Sequence, residues 1–85
     1  MKTNDYVLAK ILWNDAETYG DSSWIKLEEG IEQASTPPPV MASVGWIIYE
    51  DDKYVALTSD LGDEECGHIT KIPKTMIIKM ETWTT

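Results

Sequence analysis

The chain contains few of the residues on which disulfide frameworks, membrane spans and secretion signals depend. A single cysteine, Cys66, excludes an internal disulfide. No apolar run approaches the roughly 18 residues that a membrane-spanning helix needs. Residues 1–6 also lack the apolar core of a signal peptide. These absences predict a protein of a reducing, cytoplasmic compartment that has no membrane partner.

Basic residues are scarce. Seven of them face fifteen acidic residues, which gives a formal net charge of -8 and a pI near 4.3. Nucleic-acid binding is normally driven by cations that neutralise phosphates, so this balance argues against direct nucleic-acid binding. An acidic surface fits two other roles: it keeps the protein soluble, or it imitates nucleic acid and docks on a basic partner.

Groups arranged for catalysis are also missing. The sequence has no glycine-rich phosphate loop and no motif that marks a nucleophile with its base. Cys66 and His68 supply two soft ligands, whereas zinc needs four, or three and a water. The four carboxylates of residues 60–65 do not have the spacing of a calcium loop. We therefore predict no enzyme activity, no catalytic residue, no cofactor and no metal site.

Phenylalanine is absent too, but four tryptophans and four tyrosines are present. Each of these rings has a polar group, which suits half-buried positions, interfaces and stacking sites. The aromatic composition therefore favours a binding protein.

The distribution of apolar runs predicts one mainly β (α+β) domain over residues 1–85. We expect a small curled antiparallel sheet or barrel of about five strands, with one short helix between strands 1 and 2. The strands are predicted at residues 6–14, 40–49, 54–59, 67–72 and 76–83. The expected core residues are Trp13, Val44, Ile48, Val55, Leu57, Ile72 and Ile78.

Two local features refine this prediction. The polar residues 50–53 between two β-rich runs indicate a hairpin, and Gly45 inside strand 2 indicates a sharp bend or a close backbone approach. Residues 24–33 are predicted to be helical, with Ser22 or Ser23 as the N-cap. A helix this short needs packing against the sheet to be stable.

Part of the chain resembles a known family. Gly45-Trp46-Ile47-Ile48, the apolar run at 54–57 that follows an acidic turn, and the late Ile72-x-x-x-x-Ile77 element are similar to the Sm-like branch of the small SH3-type barrels, the fold of bacterial RNA chaperones. The resemblance implies a small barrel and ring assembly.

The sequence departs from that family at its functional positions. Ala56 stands where the family places a base-contacting asparagine, and Pro73 and Lys74 replace the basic or glycine residues of its late motif. The family's helix also precedes strand 1, whereas here it follows. The resemblance therefore does not imply RNA binding.

The whole chain also resembles, in size and style, the short, acidic, tryptophan-rich proteins encoded by phages. Many of these counter host defence in the host cytoplasm, by sequestering a nucleotide signal or by occupying a host protein. The length and charge of this chain are also similar to those of the acidic uracil-DNA glycosylase inhibitors, which mimic DNA.

Together these observations predict a non-enzymatic binding protein that sequesters a small nucleotide signal at an oligomer interface. The alternative is an acidic DNA mimic or protein inhibitor that docks on a basic host protein. A homo-oligomer is expected because a small sheet leaves strand edges open. The predicted ligand-binding residues are Trp46, Tyr49, Tyr54, Lys53, Lys71 and Lys74.

Overall fold

A computed structural model describes residues 6–20 and 24–83 of the chain. They form one antiparallel sheet of five strands, in the spatial order β4-β3-β2-β1-β5. The strands are β1 (Val7–Asn14), β2 (Val40–Glu50), β3 (Tyr54–Leu61), β4 (Cys66–Pro73) and β5 (Ile77–Trp83). One α-helix, α1 (Leu27–Ala34), lies between β1 and β2, and a single 3-10 turn (Lys74–Met76) joins β4 to β5.

This architecture confirms the prediction of a mainly β fold with one helix between strands 1 and 2. The sheet is open, because within the described residues β4 and β5 each pair with one neighbour only. No helix in the described part of the chain is long and apolar enough to cross a membrane.

The core lies on one face of the sheet, which we call the inner face. Its fully buried side chains come from three strands: Ala9, Ile11, Val55, Leu57 and Ile72. Trp13, Ile47 and Ile77 pack around them. Val55, Leu57 and Ile72 were predicted correctly.

The prediction of Val44 and Ile78 as core residues is wrong, since they are 59% and 53% exposed. Ala9 pairs directly with Gly45, so the inner face of β2 carries the odd-numbered residues here and Val44 lies on the opposite face. Ile78 falls in a β-bulge, where β5 shifts register against β1. Of the remaining predicted core residues, Trp13 and Ile48 are only half-buried.

The expected close approach at Gly45 is confirmed. A Cβ atom added at this position would lie 2.5 Å from the carbonyl oxygen of Thr58 on β3 and 3.3 Å from Cβ of Leu57. The backbones of β2 and β3 therefore meet where only a glycine fits. A register shift between Ile47 and Tyr49 follows directly, so β2 bends at this point.

The predicted packing of the helix on the sheet is wrong. The helix begins at Leu27 and not at Trp24, its N-cap residue Lys26 makes no side-chain capping bond, and none of its residues is buried. Ser22 and Ser23 lie outside the described residues. The backbone N–H of Asp15, directly after β1, donates a hydrogen bond to the carbonyl oxygen of Pro39, directly before β2, at 3.1 Å. The three consecutive prolines after this helix favour an extended return path to β2.

We expect Gly45→Ala to lower the free energy of unfolding by about 1–3 kcal/mol or more, because the new methyl group overlaps a backbone oxygen that cannot move freely. Urea unfolding followed by tryptophan fluorescence measures the change. Gly62→Ala is the matched control, since its new Cβ meets nothing closer than 3.6 Å. A Gly45→Ala protein as stable as this control would contradict the close approach.

The assignment of the core makes a second prediction. Ile72→Ala should destabilise the protein by about 2–5 kcal/mol, because it leaves a cavity at a fully buried site. Ile78→Ala removes the same atoms from an exposed position and should change stability by less than about 0.5 kcal/mol. Equal losses in the two variants, measured by the same unfolding experiment, would contradict this assignment.

Candidate ligand-binding groove

The turn between β2 and β3 is organised by one carboxylate. Asp51 Oδ1 accepts hydrogen bonds from the backbone N–H groups of Lys53 (2.8 Å) and Tyr54 (3.0 Å), and Oδ2 accepts one from the Tyr49 hydroxyl (3.1 Å). An aspartate at this place in a turn often bonds to the backbone two residues further on. The result is that the rings of Tyr49 and Tyr54 lie side by side, with centroids 5.4 Å apart.

These hydrogen bonds change the acidity of both partners. The backbone N–H groups of Lys53 and Tyr54 stabilise the charged carboxylate and hold the pKa of Asp51 below its ordinary value. The hydrogen bond from Tyr49 to Asp51, together with the negative charge of that carboxylate, raises the pKa of the Tyr49 hydroxyl. Tyr49 is therefore a hydrogen-bond donor at neutral pH.

A groove of about 430 Å³ lies beside this turn, lined by Lys53, Tyr54, Lys71 and Pro73. The register of β3 and β4 creates it, because Tyr54 pairs with Pro73 and Ala56 pairs with Lys71. These paired residues share the outer face of the sheet, opposite the core. Ala56 is almost fully buried there. The small side chain of Ala56 leaves room above it for the larger residues around the groove.

Lysines lie in and beside this groove, although the chain as a whole is acidic. All seven basic residues of the sequence are lysines; Lys53 and Lys71 line the groove, and Lys74 lies beside it. Lys74 Nζ pairs with Glu50 at 2.8 Å, and its backbone N–H donates to the Lys53 carbonyl oxygen. Among the described residues, Lys53 and Lys71 form no ion pair. Two ammonium groups are thus available to a ligand, while the third supports the fold.

The structure separates Trp46 from the other five predicted ligand-binding residues. Trp46 lines a different cavity of about 490 Å³ at the β3–β4 turn, together with the carboxylates Asp60 and Glu65. Tyr49, Lys53, Tyr54, Lys71 and Lys74, by contrast, gather around one turn. The carboxylates beside Trp46 make its cavity a poor place for an anion.

Two residues that sequence reasoning did not assign to the site also shape the groove. Pro73 forms part of its wall, and Asp51 orders the turn that presents Lys53 and Tyr54. Asp51 could have been recognised, since an aspartate that opens a polar hairpin turn is a known signal. The role of Pro73 depends on the β3–β4 register, which the sequence does not reveal.

The described residues contain no group of three or more His, Cys, Asp or Glu side chains placed to hold a metal ion. Cys66 and His68 both lie exposed on β4. Comparison of the chain with protein-family models, with curated proteins and with solved structures gave no match.

The lowered pKa of Asp51 predicts an acid sensitivity of the turn. Its charged form is favoured by folding, so this contribution to stability is fully present above the ordinary pKa of an aspartate. It is lost as the pH falls through the lower pKa of the folded state. Asp51→Asn keeps an acceptor oxygen but does not titrate, so its stability should fall less than that of the wild type under acid.

Urea unfolding at a series of pH values between 5 and about 2 measures this difference. Asp52→Asn is the control, because the neighbouring Asp52 is exposed and its carboxylate accepts no hydrogen bond from the described residues. This control should keep the acid dependence of the wild type. Parallel pH profiles for Asp51→Asn and wild type would show that the turn bonds do not favour the charged carboxylate.

Proposed function

We propose that this chain is a non-enzymatic binding protein that holds a small nucleotide in the groove formed by Lys53, Tyr54, Lys71 and Pro73. The observation that carries the proposal is a groove lined by one tyrosine and by two lysines that have no ion-pair partner among the described residues. A nucleotide combines the two chemical groups that these side chains bind, a flat base and a phosphate.

The ring of Tyr54 is half-buried and lies next to that of Tyr49. A base can stack on such a ring whatever its identity, and base–aromatic stacking is worth about 1–3 kcal/mol per base. The hydrogen bonds that Asp51 accepts from the Tyr49 hydroxyl and from the backbone of Tyr54 hold both aromatic residues in place before a ligand arrives.

The ammonium groups of Lys53 and Lys71 supply the phosphate contacts. Lys53 lies at the turn and Lys71 on β4, so they border the groove from two different elements. Lysine binds phosphate as a flexible point charge and not in a fixed fork, which suits a site for ligands with several phosphate positions. Acidic residues surround the site and repel an anion. We therefore expect the attraction for phosphate to come from the two lysines.

The shallow form of the groove favours a site shared between subunits. Pockets for small molecules usually bury 70–90% of the ligand surface, whereas four of the described residues line this cavity. A second copy that covers the groove would supply the missing wall. The homo-oligomer expected from the open sheet edges fits this arrangement.

A protein that binds a signalling nucleotide without converting it lowers the free concentration of that signal. We propose this sequestration as the role of the chain, in the host cytoplasm as a phage counter-defence protein. Its small size and its lack of a recognisable nucleophile–base pair are consistent with such a role.

A second function is favoured by the β3–β4 turn. Asp60, Glu64 and Glu65 are exposed there, beside apolar cavity walls that include Leu61 and Trp46. Carboxylates around an aromatic anchor form a surface suited to a basic protein, as in an inhibitor that mimics DNA. This alternative uses a different part of the molecule and can be tested separately.

Calorimetric titration with cyclic mononucleotides and cyclic dinucleotides tests the proposal. We expect one of them to bind and to be recovered intact after the protein is denatured. Tyr54→Ala should weaken its affinity about 5- to 150-fold, which corresponds to the stacking energy of about 1–3 kcal/mol. Lys71→Ala should also weaken it, through loss of a phosphate contact. Lys26→Ala, which removes the same charge outside the groove, should bind like the wild type.

The outcomes separate the two functions. Absence of binding to every nucleotide, with salt-sensitive capture of a basic host protein that Glu64→Lys abolishes, would support the acidic docking surface instead. Conversion of the nucleotide by the purified protein would contradict a purely binding function.

A further inference from the structure

The two outermost strands of the sheet, β4 and β5, are not equally open to a further strand. Within the described residues each of them pairs with one neighbour only, so each presents backbone N–H and C=O groups along its other edge. Every residue of β5 from position 78 to position 83 is exposed. Such an edge is a template for pairing with another chain unless the sequence protects it.

Strand β4 carries features that protect an edge. His68, inside the strand, has a φ of 50°, in the left-handed region, and the β3–β4 ladder has no residue pair there. This conformation interrupts the extended backbone that a further strand needs. Pro73, at the end of β4, has no N–H to donate. Lys71 adds a charge, and β4 contains no acidic residue to face it in a second copy.

Strand β5 has none of these protective features. It contains no proline, and none of its residues has a positive φ. It carries one lysine and one glutamate two positions apart, which places both on the same face of the strand. Lys79 Nζ lies 3.3 Å from Glu81 Oε1, and Glu81 pairs with Lys10 of β1. The open edge therefore has a charge pattern that can specify a partner strand.

Two-fold symmetry limits how two β5 strands can pair with each other. Opposite residues in an antiparallel pair lie on the same face, so the axis of an isologous pair passes through one residue of the strand. The central registers place this axis at Lys79, Met80 or Glu81. An axis at Lys79 or at Glu81 puts like charges directly opposite, which is unfavourable. An axis at Met80 puts Lys79 of each copy opposite Glu81 of the other.

The register centred on Met80 also continues both faces of the sheet. On the outer face, Glu81 then lies between Lys10 of its own chain and Lys79 of the second copy, so positive and negative side chains alternate across the strands. On the inner face, Met80 pairs with the fully buried Ile11 and is 39% exposed. The Met80 side chain of the second copy covers this exposed part and extends the core across the contact.

We propose that two copies of the chain pair through β5, antiparallel and centred on Met80, so that their two sheets become one continuous sheet. This inference goes beyond nucleotide binding, because the candidate groove lies on β3 and β4, toward the opposite edge. A copy that covers the groove is a second and separate contact. Assemblies of dihedral symmetry contain more than one kind of interface, so the two contacts are compatible.

Cross-linking of single cysteines identifies both the strand and its register. In a Cys66→Ser background, Met80→Cys lies on the axis and should give a covalent dimer under oxidation. Opposite residues in an antiparallel pair have Cα atoms about 4.5–5.5 Å apart, which a disulfide can span. Lys79→Cys and Glu81→Cys are matched controls that face a different residue of the second copy and should not cross-link. Ile69→Cys, exposed on β4, tests the other edge and should not cross-link either.

Light scattering coupled to size exclusion, over a series of protein concentrations, tests the assembly itself. We expect an even multiple of the 9.6 kDa mass of one chain. Lys79→Glu replaces two opposite-charge pairs by two like-charge pairs and should raise the dissociation constant of the β5 contact about 10-fold or more. Its unfolding transition should remain, because this side chain is exposed. Lys26→Glu makes the same change of charge outside the sheet and should associate like the wild type.

Several outcomes would overturn the proposal. A wild type that runs as a single chain would exclude the contact, and so would a Lys79→Glu protein that associates as tightly as the wild type. Absence of a cross-link in Met80→Cys, or a stronger one in Lys79→Cys or Glu81→Cys, would exclude the register. A cross-link in Ile69→Cys alone would move the contact to β4. Nucleotide titration of the Lys79→Glu protein is independent of all these results, since the groove does not contain Lys79.

Discussion

The close approach of β2 and β3 at Gly45 is the constraint on which the rest of the sheet depends. The space that a Cβ atom would fill is occupied by the carbonyl oxygen of Thr58, so the two backbones lie together and β2 bends. Thr58 is fully buried, and its hydroxyl donates to the Gly67 carbonyl oxygen of β4 at 2.5 Å. The close approach at Gly45 and the hydrogen bond of Thr58 therefore tie β2, β3 and β4 together.

The bend also determines the position of the candidate groove. Beyond it, Tyr49 pairs with Ala56, and Ala56 pairs with Lys71, so residues from three strands meet on the outer face. Asp51 then orders the turn through two backbone N–H groups. An acidic chain can present a cationic groove in this way, because register brings together lysines that are far apart in sequence.

Helix α1 follows a different physical rule. Its amphipathic pattern is that of a packed helix, yet none of its residues is buried. Amphipathic spacing predicts that a helix has a partner but does not say which surface the partner is on.

Local patterns were sufficient to predict the number of strands, the position of the helix, the hairpin at residues 50–53 and the close backbone approach at Gly45. They were sufficient because turn residues and apolar runs act over a few positions. Five of the six proposed ligand residues also meet around one turn. The tertiary structure alone decided that Val44 faces outward, that Ile11 is central to the core and that Trp46 lies among carboxylates. These outcomes depend on strand register and bulges. A shift of one residue reverses the face of every side chain, and no local pattern in a largely apolar strand specifies that shift.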